Sequence, residues 1–264
     1  MSNLISVLPT STLPRFEADC DRHLAGAIVP RAQLTLADRR EMYALLEAYF
    51  CGTQRARFEA DLDEKETVIL LRDTEFGRIQ GFSTSMRLLA CVHGEPLVAF
   101  FSGDTIVARE YWGESLLSRL WGQMVFAEAG HIVAAQPRTR VYWFLICSGY
   151  RTWRFLPIFF RDFYPNRRAS APSPLKPILD VLGQQKFGDQ HLAELGVVRF
   201  RSATPLRHGV GEVTDRRLRD PNVEFFTRMN PGHESGDELA CLAEISRSNL
   251  TRAGERMMAA TVKC

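Results

Sequence analysis

Apolar positions recur along this chain with a period that changes from segment to segment. Leu36, Met42, Leu45, Leu46 and Tyr49 repeat at helical spacing behind Thr35, so a helix with one core-facing side is predicted over Leu36 to Phe50. A second helix is expected over about Thr53 to Asp63. Three strands follow, Val68 to Arg72, Ile79 to Cys91 and Leu97 to Val107, with Thr74-Glu75-Phe76-Gly77 and His93-Gly94-Glu95-Pro96 as the turns between them. The third strand runs through Trp112-Gly113-Glu114-Ser115-Leu116-Leu117 into a helix over Gly113 to Glu128. Val141 to Cys147 is a continuous apolar run that fits a strand buried on both faces. A strand, a helix and such a strand make a right-handed crossover, with the two strands parallel neighbours.

The pattern then loosens. Gly149 to Tyr164 reads as a helix carrying Trp153, Phe155, Ile158, Phe159, Phe160 and Phe163, which Pro157 should kink or split. Ala169 to Pro177, with Pro172, Pro174 and Pro177, reads as a linker. Gly196 to Ser202 is expected as a late strand. Asp220-Pro221-Asn222 and Asn230-Pro231-Gly232 mark turns, and Ser235-Gly236-Asp237-Glu238 has the form of a capping box opening a helix to about Asn249. Arg252 to Cys264 is expected to fray. The fold class is α/β, an α+β mixed sheet, organised as a leader (1–33), a core (34–166), a linker and helix (167–195) and a strand and helix extension packed on the core (196–264).

A net charge of +2 gives no electrostatic footprint for nucleic acid, and nucleic-acid binding is not expected. The cysteines at 20, 51, 91, 147, 241 and 264 include no C-x-x-C pair, which suits reduced, mostly buried thiols and a cytoplasmic setting. Met1 to Pro14 has neither a basic n-region nor a sustained apolar run, so no signal peptide is expected. The longest apolar runs fall well short of the roughly 20 residues of a membrane helix.

Candidate chemistry centres on the strand-to-helix turn. A strand feeding a helix N-terminus leaves amides aimed at open space, where the helix dipole favours an anion such as a phosphate. The motifs of serine hydrolases, P-loop proteins and dinucleotide-binding folds are absent, and the scattered histidines, with no second histidine beyond His233-Glu234, give no reason to expect a metal.

The order of these elements, with the Phe58-to-Gly81 stretch and the turn at Ile106 to Leu117, resembles the core of the GNAT superfamily of acyltransferases. The resemblance covers roughly Leu34 to Asn166. It implies an acyl thioester co-substrate, acyl-coenzyme A or an acyl carrier protein, with no covalently bound cofactor, and an amine acceptor. Its turn motif, Arg/Gln-x-x-Gly-x-Gly/Ala, is met only in part: Gly113 is kept, but Glu110 and Ser115 stand where the family has Arg or Gln and Gly or Ala. Carboxylates at Glu110 and Glu114 would repel a diphosphate, which Arg109 would partly offset. The donor is expected along Thr105, Ile106 and Val107 and over Arg109, Trp112, Gly113, Glu114 and Ser115.

Acyl transfer to an amine needs a proton acceptor, for which Asp104 is the first candidate and Glu110 the second; Gly103 would permit a bulge beside it. Family practice places a tyrosine acid after the buried strand, here Tyr150 or Tyr164. The aromatic segment serves either as core or as the lining of a tunnel for a medium or long acyl chain. Arg151 and Arg154 on the same segment are candidate contacts for phosphate or for an acidic carrier protein. The expected function is N-acylation of an amino acid or peptide amine, resembling N-acyl amino acid synthases and the fatty acyltransferases that lipidate ribosomal peptides. The alternative is a non-catalytic protein of the same fold that binds an acyl ligand or a partner.

Overall fold

The computed structural model describes residues 19–20, 23–169 and 173–259. In chain order these form β1 (Asp19–Cys20), β2 (Leu24–Pro30), α1 (Leu36–Tyr49), α2 (Arg55–Asp63), β3 (Thr67–Asp73), β4 (Ile79–Val92), β5 (Glu95–Val107), α3 (Leu116–Ala135) and β6 (Arg140–Cys147). There follow α4 (Tyr150–Trp153), α5 (Phe155–Phe159), β7 (Phe163–Tyr164), α6 (Leu175–Phe187), β8 (His191–Leu192), β9 (Val197–Val198), α7 (Asp215–Leu218), α8 (Pro221–Met229), β10 (Glu238–Glu244) and α9 (Arg252–Ala259). All ten strands join one sheet in the order β1-β2-β3-β4-β5-β6-β10-β9-β8, with β7 paired to β10 off this path. Among the described strands only β5 and β6 pair in parallel, from Leu97 opposite Arg140 to Ser102 opposite Leu145. The fold is the mixed α/β class expected.

Local chemistry accounts for the first half. Thr35 caps α1 through a reciprocal box, its hydroxyl accepting from Asp38 N at 3.1 Å while Thr35 N donates to Asp38 at 2.8 Å. Arg39 bridges to Glu59 at 2.7 Å and Asp63 at 3.0 Å and so fixes α1 against α2. The β4–β5 hairpin turns on His93 and Gly94, whose φ values of 52° and 80° match the twist a two-residue connection requires.

The apolar run of β6 has the predicted cause. Val141, Trp143, Leu145 and Cys147 pack into the core under α3, while Tyr142 and Phe144 pack into a second core under α6. β10 divides likewise, Leu239, Cys241 and Ala243 to one side and Ala240 and Leu242 to the other. A third core, with Val68, Leu70, Phe82 and Ile106, lies under α1 and α2.

Several expectations are corrected. Within the leader, Leu24–Pro30 is a full strand paired to β3, so the meander gains a strand at its edge. Leu36 faces outward, 73% exposed. The helix expected over Gly149 to Tyr164 is two short helices and a strand: Pro157 cannot donate to the preceding turn, and Asn249 captures the chain beyond it, taking Arg161 N on its carbonyl and Asp162 N on Oδ1, both at 2.8 Å. The expected late strand shrinks to Val197–Val198.

The helix expected after Ser235 is instead β10, because Gly236 is left-handed (φ 93°) and Asp237 is held by Arg199 at 2.6 Å, so the chain enters the sheet. Arg252–Ala259 is helical rather than frayed; residues 260–264 lie outside the described set, as do residues 1–18 of the leader. Of the cysteine side chains described, Cys147 and Cys241 are buried, Cys51 is half-buried and Cys91 is exposed, and all four are free thiols. No helix among the described residues is long and apolar enough to cross a membrane.

Candidate active site

β5 and β6 part company after Ser102 and Leu145. Beyond that pair β5 stays with β4 as far as Val107 opposite Gly81, while β6 continues beside β10 as far as Cys147 opposite Leu239. Gly103 to Val107 therefore has one edge bonded to β4 and, among the described residues, no strand on the other. Ser102 marks the fork. Its Oγ accepts from Trp143 Nε1 at 2.9 Å and from Trp121 Nε1 at 3.3 Å, and the two indoles lie tilted at 43° to each other with centroids 4.2 Å apart.

A cavity of about 500 Å³ occupies the gap and passes through the sheet from the α3 side to the α2 side. The α3 side is apolar, walled by Leu117, Trp121, Trp143, Phe155, Phe159 and Met257. The α2 side is ionic, with Asp104, Asp61, Arg57 and Glu238 beside Ser148. Leu206, Val210 and Gly211 form a further wall, held in place by Cys51 N donating to Pro205 O and Arg207 N to Tyr49 O, both at 2.8 Å, and by Arg109 Nη2 donating to Gly209 O at 2.5 Å.

A bulge aims Asp104. Ser85 pairs with Ser102 and Ser83 with Thr105, so β5 carries one residue more than β4 across this interval. Gly103 sits in it with Lys65 Cε and Thr84 Oγ1 each 2.7 Å from where a Cβ would stand, so a side chain there would force one of them to shift. Burial, with Asp61 adding to it, pushes the Asp104 carboxyl up to about 6 against the pull of Lys65 and Arg57. Burial also pushes Glu238 up to about 8, helped by Asp104 and Asp61 and opposed by a hydrogen bond from Ser148 and by Arg57. Lys65 is fully enclosed, its Nζ 2.6 Å from Asp61 Oδ2. These groups form no cluster able to hold a metal ion among the described residues.

The strand-to-helix turn is less regular than expected. A single 3-10 turn, Arg109–Tyr111, follows β5, and α3 begins at Leu116. The amides of Gly113, Ser115, Leu116 and Leu117 find no backbone carbonyl among the described residues, while those of Trp112 and Glu114 turn back to Arg109 O and Tyr111 O. Trp112 is pinned by its Nε1 donating to Val107 O at 2.7 Å. The Arg151 guanidinium lies 4.1 Å and that of Arg109 5.1 Å from its ring centroid. Burial, with Arg217, Arg109 and Arg154 nearby, lowers the Arg151 pKa, so these four cations share one neighbourhood at the cavity mouth.

Of the residues singled out in the sequence, Asp104, Thr105, Ile106, Val107, Trp112, Glu114, Arg151 and Arg154 line the cavity. Arg109, Glu110, Gly113 and Ser115 lie on the turn outside it, with Glu110 exposed. Tyr150 and Tyr164 do not line it: Tyr150 is buried under α3, and Tyr164 pairs with Leu242 on the α6 side. The tyrosines that do are Tyr49, whose hydroxyl accepts from Arg109 N at 2.7 Å, and Tyr111. In the aromatic segment Phe155, Ile158 and Phe159 reach the cavity, whereas Trp153 and Phe160 are wholly core. Sequence reasoning missed Arg57, Asp61 and Glu238.

No protein-family model matches the chain, and no curated protein matches it. Among solved structures it is similar to a probable N-acyltransferase of unknown function from Enterococcus faecalis, at 15% identity and a TM-score of 0.38, over 53% of this chain and 33% of that one. It is also similar to a GNAT family N-acetyltransferase from Escherichia coli in complex with CoA, at 19% identity and a TM-score of 0.33, over 52% and 70% of the two chains. A GCN5-related N-acetyltransferase from Sphaerobacter thermophilus gives 13% identity and a TM-score of 0.34, over 89% and 91%. The chain thus spans a third of the length of the first of these and larger shares of the other two.

Proposed function

We propose that the protein is a GNAT-like N-acyltransferase that moves a medium- or long-chain acyl group from a thioester, on coenzyme A or an acyl carrier protein, to an amine of an amino acid or peptide. The observation that carries this reading is the through-sheet cavity at the fork of the parallel β5–β6 pair, apolar on one side and ionic on the other. An extended donor arm with amide groups can add to the bare edge of Gly103 to Val107 as a strand would. Its thioester then lies at the fork, its acyl chain against Phe155, Ile158 and Phe159, and its anionic end among Arg109, Arg151 and Arg154.

On the α2 side Asp104 is suited to take the amine's proton, since burial pushes its carboxyl up to about 6. Tyr111, on the cavity wall, replaces Tyr150 and Tyr164 as the tyrosine nearest the donor turn. Incubation with acyl-coenzyme A and acyl carrier protein thioesters of two to twelve carbons, alongside primary amines, followed by mass spectrometry, tests this. An amide product from longer donors is expected; its absence with every donor and amine would leave only a binding function.

A further inference from the structure

Glu238 opens β10 and reaches the cavity from the bank opposite Asp104. It is faced by Asp104 from β5, by Asp61 and Arg57 from α2, and by Ser148 just beyond β6. Lys65, between α2 and β3, is matched by Asp61, and Arg57 is drawn aside, donating to Ser202 O with its guanidinium 5.1 Å from the Phe200 ring. With Asp104 ionised, two carboxylates meet two cations; ionising Glu238 as well makes it three against two. Asp104 and Glu238 thus stand on facing banks of one cavity, with Asp61, Arg57 and Lys65 as the charges around them and Ser148 as the hydroxyl that donates to Glu238.

We propose that the acceptor is an alkylammonium with no carboxylate beside its nitrogen, such as an amine side chain, held between Asp104 and Glu238, with Glu238 setting this preference. The proposal rests on the acyl-transfer reading and narrows its acceptor. An entering ammonium lets Glu238 ionise and leaves the group neutral, whereas the α-carboxylate of a free amino acid adds a further negative charge to it. The proton count agrees. As the C–N bond forms and the C–S bond breaks, the ammonium nitrogen loses two protons: Asp104 takes one and later releases it to solvent, and the departing sulfur leaves with the other as the thiol.

The test uses decanoyl-coenzyme A with 1-pentylamine and L-norleucine, which differ only by the α-carboxylate. The wild-type protein should prefer pentylamine in kcat/KM by at least about tenfold. Glu238→Gln should raise the pentylamine KM with kcat changed less than about threefold, moving the ratio toward one, and Glu238→Asp should restore part of it. Equal rates, or a preference for norleucine, in the wild type would overturn the proposal, whether or not the variants fold. Calorimetry of pentylamine binding at pH 7 in phosphate and in HEPES supplies a readout free of turnover, with release of up to about one proton expected as Glu238 ionises. Should neither amine be acylated, the transfer reading fails while pentylamine binding with proton release keeps the ammonium site; absence of binding removes that site as well.

Discussion

Phe101 and Asp104 stand three positions apart on β5 and yet face the same side of the sheet. Phe101 packs in the core under α6, and Lys65, 5.9 Å from its ring centroid, is also among the charges acting on Asp104. In a regular strand the period of two would send Asp104 through to the α3 side with Ser102; the extra residue at Gly103 reverses it. Ile106 consequently joins the core under α1 and α2.

Gly103→Ala is expected to destabilise the protein by about 1–3 kcal/mol, because its Cβ would collide with Lys65 and Thr84 inside the bulge. Gly113→Ala should stay within about 1 kcal/mol of wild type, since a Cβ there meets nothing within 4 Å. Urea denaturation of the two variants side by side measures the contrast.

The two raised carboxyls make a pH-dependent stability expectation. In the folded chain burial pushes Asp104 up to about 6 and Glu238 up to about 8, against roughly 4 when unfolded. The folded state holds their protons more tightly, so their contribution favours folding below about pH 4 and is lost as pH rises through the window from 4 to 8. Asp104→Asn should therefore lower the rate of transfer by about a hundredfold while making the protein more stable at pH 7, by on the order of 1–3 kcal/mol. Chemical denaturation at pH 5 and pH 8 checks it: a variant that loses stability along with activity marks Asp104 as structural.

At the donor end, Arg151→Ala should weaken binding of an anionic donor about tenfold while leaving the fold intact, since the guanidinium lies over the Trp112 and Tyr150 rings at the cavity mouth and carries no ion pair among the described residues. Gly113→Pro removes an amide with no backbone partner and fixes φ, and should abolish donor binding if that amide meets the phosphate. Titration with coenzyme A in low and high salt separates the two contributions, because only the first is screened.

Much of the fold was legible because local and tertiary preferences agree there. Thr35 with Asp38, His93 with Gly94, and the apolar run of β6 each specify one structure whatever surrounds them. Glu238–Glu244 was not legible, since Glu-Leu-Ala-Cys-Leu-Ala-Glu is made of good helix formers and only its burial between two cores makes it a strand. That misreading hid Glu238, and with it the acidic bank opposite Asp104. Asp104 itself could be placed from Gly103 and the turn beyond it. Arg57 and Asp61, on a helix some 40 residues earlier in the chain, carry no local signal of the cavity they line.

The acyl chain decides the reading. If Phe155, Ile158 and Phe159 wall a chain-binding end, each added pair of methylenes gains about 1.6 kcal/mol, and kcat/KM should rise roughly tenfold per pair until the cavity is full. Ile158→Trp should shift the preferred length downward and leave short donors nearly unaffected, while Trp153→Ala, at a core position away from the cavity, should cost about 3–5 kcal/mol of stability without changing the preference. The measurement is kcat/KM for coenzyme A thioesters from two to twelve carbons with a fixed amine, for wild type and Ile158→Trp. A steep rise that breaks at a length shortened by the tryptophan is the expected result; a flat response, or one the tryptophan does not move, would contradict a fatty-acyl site.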